Sequence, residues 1–184
     1  MRPTRRSSTR PSPRRRRAEM AAKRREDGSP PFTAADIPVQ SSWPELTCYG
    51  CGPANPHGHH LHSYLSDDGE SLVATVDPDA RYNAGAPNVM YGGYVASLLD
   101  CHSIWTAMTF AAQAEGIPLD SDPHVAYVTA ELRVEYRRPT PLDRPIRLRA
   151  WVDGDVGRRM RIRSELGPEG EVTATGTVVA VRVA

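Results

Sequence analysis

Residues 91–116 read YGGYVASLLDCHSIWTAMTFAAQAEG, a long run with a single acidic residue in its middle. Val95, Leu98, Leu99, His102, Trp105 and Met108 recur at helical spacing, while Ala96, Ile104, Ala107, Phe110 and Ala111 fill the other faces. A helix that is apolar nearly all round must be buried on nearly every side. Gly116-Ile117-Pro118 ends it, because glycine accepts left-handed backbone and proline cannot continue the helix. Its first charged residue, Asp100, falls in the middle of the run.

The flanking segments read as strands. Before the helix, His60–Leu65 and Leu72–Asp77 are short alternating runs around Ser66-Asp67-Asp68-Gly69, the pattern of a β-hairpin, and residues 80–90 carry loop-like Asn, Gly and Pro. After it come Val125–Tyr136, closed by Pro139, then Ile146–Val152, with Arg147 and Arg149 alternating with Ile146, Leu148 and Ala150. Arg159–Leu166 and Glu171–Val183 follow, joined by the turn Gly167-Pro168-Glu169-Gly170. Two strands, one long helix and about four strands do not alternate as a parallel α/β fold requires. The pattern predicts an α+β domain in which a curved, mostly antiparallel sheet wraps one central helix.

The chain has 184 residues and a formal net charge of +1, which averages two unlike parts. Residues 1–27 hold eleven basic residues against three acidic ones, and the rest holds twelve against nineteen. Residues 1–36, rich in Arg, Ser and Pro, offer little to bury and read as a disordered tail on a domain spanning 37–184. Residues 11–17, within its arginine run, lack aromatic residues that could stack on bases, so no specific nucleic-acid partner is expected. No apolar run is long enough for a membrane span, and three cysteines are too few for a disulfide framework. A cytoplasmic location is the expectation.

Asp100 is the residue that most needs explaining, since a carboxylate among Leu98, Leu99 and Cys101 is costly to bury unless it is paired or used. Gly92-Gly93 stands at the start of the same helix. Paired glycines let a ligand approach, and first-turn amides lack intrahelical acceptors, so one carbonyl could meet both a donor and a base. Cys48-x-x-Cys51 with His57, His59, His60 and His62 offers thiolate and imidazole ligands. No second regularly spaced ligand pair accompanies them, so a tight packing turn is expected and no metal. His102 reads as a satisfied core histidine and His124 as exposed.

The run Tyr82-Asn83-Ala84-Gly85-Ala86-Pro87-Asn88-Val89-Met90-Tyr91-Gly92-Gly93, continuing to Leu98-Leu99-Asp100, resembles the signature of hot-dog-fold acyl-CoA thioesterases. The likeness is to the phenylacetate-pathway (PaaI-like) group and to thioesterase superfamily member 4. Residues 48–58 (CYGCGPANPHG) upstream and 129–139 (TAELRVEYRRP) downstream extend it over roughly residues 45–183. The resemblance implies a hot-dog fold and hydrolysis of an acyl-CoA thioester. It gives Asp100 the role of general base or nucleophile, Gly92 that of carbonyl-polarising amide, and Thr129 that of placing water. It also implies a homodimer or homotetramer with the site between subunits, and no cofactor, since coenzyme A is part of the substrate.

The family usually has histidine before the two glycines, where this chain has Tyr91, whose phenol can still donate. Asn83 and Asn88 are candidate supporting donors. Every basic residue after the tail is arginine, and ten of the twelve lie between Arg133 and Arg163. Arg137, Arg138, Arg158 and Arg159, with Gly93, are the candidates for holding the coenzyme A phosphates. The competing readings are a hot-dog hydratase or dehydratase, for which Asp100 and His102 lack the geometry, and a non-catalytic acyl-CoA binder.

Overall fold

The structure, a computed structural model, describes residues 37–183. The proposed tail, residues 1–36, lies outside the described residues. One helix, α1 (Gly92–Glu115), crosses a six-stranded sheet of β1 (Tyr64–Leu65), β2 (Leu72–Val76), β3 (Tyr127–Tyr136), β4 (Ile146–Val152), β5 (Arg159–Gly167) and β6 (Ala174–Arg182). Every pairing is antiparallel, and the spatial order is β1-β2-β4-β5-β6-β3. The strand that follows the helix therefore lands at the far edge of the sheet, beside the last strand.

The helix is enclosed as its composition requires. Val95, Leu98, Leu99, Trp105, Met108, Phe110 and Ala111 are buried, and strands β3 to β6 all pack against it. Facing them, Ile146, Leu148, Ala150, Met160, Ile162, Leu166 and Val178 turn inward, while Arg147 and Arg149 stay exposed. Gly116 takes φ 69° and stops the helix, with the Ile117 amide folded back on the Ala112 carbonyl. At Gly176 a Cβ would stand 2.5 Å from Ser164 Oγ and 3.4 Å from Leu99 Cβ, so the missing side chain lets helix and sheet close up.

Some boundaries differ from the sequence reading. The first strand shrinks to Tyr64–Leu65, and β3 and β6 begin two and three residues later than the alternation indicated. Alternation marks which residues could face a core; hydrogen-bonded pairing lasts only while a partner strand runs alongside. His124 is half-buried and stacks on Trp43, with ring centroids 4.2 Å apart.

His102 is the satisfied core histidine that the sequence suggested. Its Nε2 lies 3.1 Å from the Leu72 carbonyl, which can only accept, so Nε2 carries the proton and Nδ1 accepts from Ser63 Oγ at 2.8 Å. Burial pushes its pKa down from 6.5 to about 4. The unfolded chain therefore binds a proton that the folded chain refuses between those values. Stability should be intact above about pH 6.5 and fall by about 3 kcal/mol as the pH drops toward 4. Urea unfolding at neutral and acid pH checks this; a His102→Gln protein should lose this part of the slope.

Candidate active site

The site grows from where β3 runs beside α1. Asp100 is half-buried in the middle of the helix, and Thr129 Oγ1 donates to its Oδ1 at 2.5 Å. Burial raises the Asp100 pKa, and the Thr129 hydrogen bond opposes that rise. The outcome is a carboxylate that is more basic than usual and oriented by one hydroxyl.

A β-bulge makes the pairing possible. The register of β3 against β6 shifts between Thr129 and Glu131, leaving Ala130 as the extra residue. Thr129 and Tyr136 are seven positions apart and would face opposite ways on a regular strand. With the bulge both reach the helix: Thr129 at Asp100 and Tyr136, whose hydroxyl donates to the Gly92 carbonyl at 2.7 Å. Tyr136 thus anchors the helix start, a role sequence reasoning missed because the signal is a register shift.

The helix start is built from its two glycines. The Tyr94 and Val95 amides both turn back to the Tyr91 carbonyl, so the Gly92 and Gly93 amides are left without intrahelical acceptors. The Tyr91 ring folds over Gly93, where a Cβ would lie 2.5 Å from the ring, and it is 55% exposed. Its hydroxyl therefore rests against Gly93 instead of capping the helix.

The other candidates are distributed as follows. Asn83 spends its side chain on its own loop, donating to the Ala80 carbonyl and accepting from the Gly85 amide, and Asn88 accepts from the Leu142 amide. These bonds shape the loop before α1. Arg137 and Arg138 lie just beyond the Tyr136 end of β3, and Arg138 pairs with Glu171 at 2.9 Å. Arg158 and Arg159 lie near the other end, where Arg159 is in register with Val181 and Tyr127 with Arg182. Along β3 that separation is about 30 Å, so one chain does not bring the two arginine pairs together.

A depression of about 840 Å³ opens elsewhere, lined by Val73, Thr75, Arg147, Arg149, Glu165 and Glu169 among others. None of the candidate site residues lines it.

A long buried helix wrapped by a six-stranded antiparallel sheet, with a carboxylate in the helix and glycines at its start, defines a hot-dog-fold protein. The model of the thioesterase superfamily matches residues 87–166, from the loop before α1 to the end of β5. A thioesterase superfamily protein from Shewanella loihica PV-4 is 30% identical, over 71% of this chain and 97% of that one, with a TM-score of 0.55. The chain belongs to the thioesterase superfamily. Another thioesterase superfamily protein is 26% identical, covering 85% of this chain and 74% of its own, with a TM-score of 0.56. A phenylacetic acid degradation-related protein from Ralstonia eutropha JMP134 shares the fold at 20% identity, over 68% of this chain and 86% of that one, with a TM-score of 0.53. Among curated proteins, none matches the chain. No helix among the described residues is long and apolar enough to cross a membrane.

Thr129→Ala tests the orienting hydroxyl. A hydrogen bond to a charged group contributes about 1.5–3 kcal/mol, so kcat should fall by about 10- to 150-fold, less than loss of the carboxylate would cost. An unchanged kcat would show that Thr129 is not needed to orient Asp100.

Proposed function

We propose that this chain hydrolyses acyl-CoA thioesters, in the manner of the phenylacetate-pathway thioesterases that its motifs resemble, at a site completed by a second copy of the chain. The observation that carries this reading is the Asp100–Thr129 pair at an open sheet edge in a member of the thioesterase superfamily.

The need for a second copy follows from helix arithmetic. Gly92 and Asp100 are eight residues apart, which is about 12 Å along the axis. An oxyanion donor must come within about 3 Å of the carbonyl oxygen and a base within about 3 Å of the attacking water, which keeps the two groups within about 9 Å of each other. The Gly92 amide and the Asp100 carboxylate of one chain are therefore too far apart to share a thioester, contrary to the expectation from spacing alone. Strand β3 pairs only with β6 among the described strands and exposes Val128, Leu132 and Tyr136. Such an edge is a template for pairing. Twofold pairing there would run two β3 strands antiparallel, setting the Tyr136 end of one toward the Tyr127 end of the other.

In the proposed reaction water attacks the thioester carbonyl while Asp100 accepts its proton. Charge on the carbonyl oxygen is met by the Gly92 amide at the positive end of the helix dipole. Collapse breaks the C–S bond, and the proton returns from Asp100 to the departing thiolate, giving free acid and coenzyme A. Attack by Asp100 itself would reach the same products through an anhydride. Free coenzyme A released from a panel of acyl-CoA thioesters is the direct test. Binding without release would instead leave a non-catalytic acyl-CoA binder.

The arginines are assigned to the coenzyme A phosphates. Replacing Arg137 with Arg138, or Arg158 with Arg159, by Ala should raise KM for acyl-CoA and flatten its salt dependence. A short thioester lacking the nucleotide should be little affected. Equal losses on both substrates would remove the phosphate role.

A further inference from the structure

The loop over residues 38–61 is seated on α1 by sulfur. Cys48 Sγ and Cys101 Sγ are 3.8 Å apart, and the three sulfurs of Cys48, Cys51 and Cys101 all lie within 4.8 Å of one another. No disulfide joins any of the three, so all are thiols. The loop passes so close to the helix that a Cβ on Gly50 would stand 2.3 Å from Cys101 Sγ. The indole Nε1 of Trp105, one turn further along the helix, donates to Cys51 Sγ at 3.2 Å. The Gly52 amide closes the turn on the Cys48 carbonyl at 2.8 Å.

We infer that Cys48, Cys51 and Cys101 form a three-thiolate site for a zinc ion. Two sulfurs on a tetrahedral zinc with bonds of about 2.3 Å stand about 3.8 Å apart, so the Cys48–Cys101 separation already matches one edge of the site. Three neighbouring thiols cannot all ionise without a cation between them, because each thiolate raises the cost of the next. Zinc supplies that charge: three Zn–S bonds form and three protons leave to solvent, with no change in oxidation state. Three protein ligands leave the fourth tetrahedral position to water.

The ligand set is not the one that the Cys-x-x-Cys and histidine run suggested. The third ligand comes from α1, fifty residues downstream of Cys51, and among the described residues no histidine joins the cluster. His59 lies instead among the rings of Tyr49, Tyr82 and Tyr94. Bound zinc would fasten the loop to the helix one residue beyond Asp100. The assignment requires nothing of the hydrolytic reading, and its test does not measure hydrolysis.

The full-length chain, purified under reducing conditions and stripped of metal, would be titrated with Co²⁺ and then with Zn²⁺. One Co²⁺ per chain is expected, with a thiolate-to-cobalt charge-transfer band that Zn²⁺ abolishes and a higher Tm in the zinc-loaded protein. Cys48→Ser and Cys101→Ser should each weaken binding by more than about tenfold, while His57→Ala should leave it unchanged. If Cys101→Ser fails to fold, the half-exposed Cys48 of the wild-type chain gives a second readout, since Zn²⁺ should slow its alkylation. A reduced wild-type chain with no thiolate–cobalt band would overturn the assignment. So would an affinity equal to that of the wild type in both cysteine variants.

Discussion

Asp100→Asn should abolish most of the hydrolysis while leaving the fold and substrate binding in place. Asparagine is nearly isosteric and can keep the hydrogen bond with Thr129, but it is neither a base nor a nucleophile. Loss of general-base assistance costs on the order of 10²–10⁴ in rate, and loss of a nucleophile costs more. The loss should fall on kcat with KM little changed. Burial already disfavours the charge on Asp100, so the variant should melt at the same temperature as the wild type or above it. Coenzyme A release measured beside a thermal melt decides the matter. A folded Asp100→Asn protein that binds acyl-CoA and hydrolyses it at the wild-type rate would make the carboxylate structural.

Gly92→Pro should be nearly as damaging, by removing one hydrogen. Gly92 is the first residue of α1, a position where proline fits, and Tyr91 before it has φ −58° and ψ 127°, the extended backbone that precedes proline readily. A Cβ there would stand 3.4 Å from the Tyr136 hydroxyl, a contact that small adjustments absorb. The substitution deletes the amide donor and sets the proline Cδ where its hydrogen pointed, so kcat and KM are read together. Removing one oxyanion donor costs about 10²–10³ in kcat.

Combining the two variants tests the shared site. A heterodimer of one Asp100→Asn chain and one Gly92→Pro chain, isolated through two different tags, has one site with both groups intact and one with neither. It should recover about half of the wild-type activity, although each parent homodimer is nearly inactive. No recovery would place both groups in a single chain and refute the two-copy site.

Much of this molecule is legible in its sequence. The apolar run around Asp100 and the absence of strand–helix alternation give one buried helix and an antiparallel sheet, because burial on all sides leaves no polar face to write. Asp100 was visible for the same reason: a carboxylate among leucines is expensive and marks itself. The alternation of Ile146–Val152 located β4 without error, since half-buried strands record their two faces residue by residue.

What the sequence does not record is distance between parts of the chain. Nothing in Thr129-Ala130-Glu131 announces the bulge, yet that extra residue turns Thr129 and Tyr136 onto the same face and so determines which hydroxyls reach α1. Spacing along one helix suggested that Gly92 and Asp100 could share a carbonyl, and the rise per residue separates them by about 12 Å. The arginines, clustered in sequence, lie toward opposite ends of an edge strand. Cys101 joins Cys48 and Cys51 only because the loop crosses the helix at Gly50. Local pattern, read residue by residue, determined the elements and the one anomalous carboxylate. Register, crossing points and the unpaired edge of β3 depend on which segments fold against each other, and these follow from the packed chain as a whole.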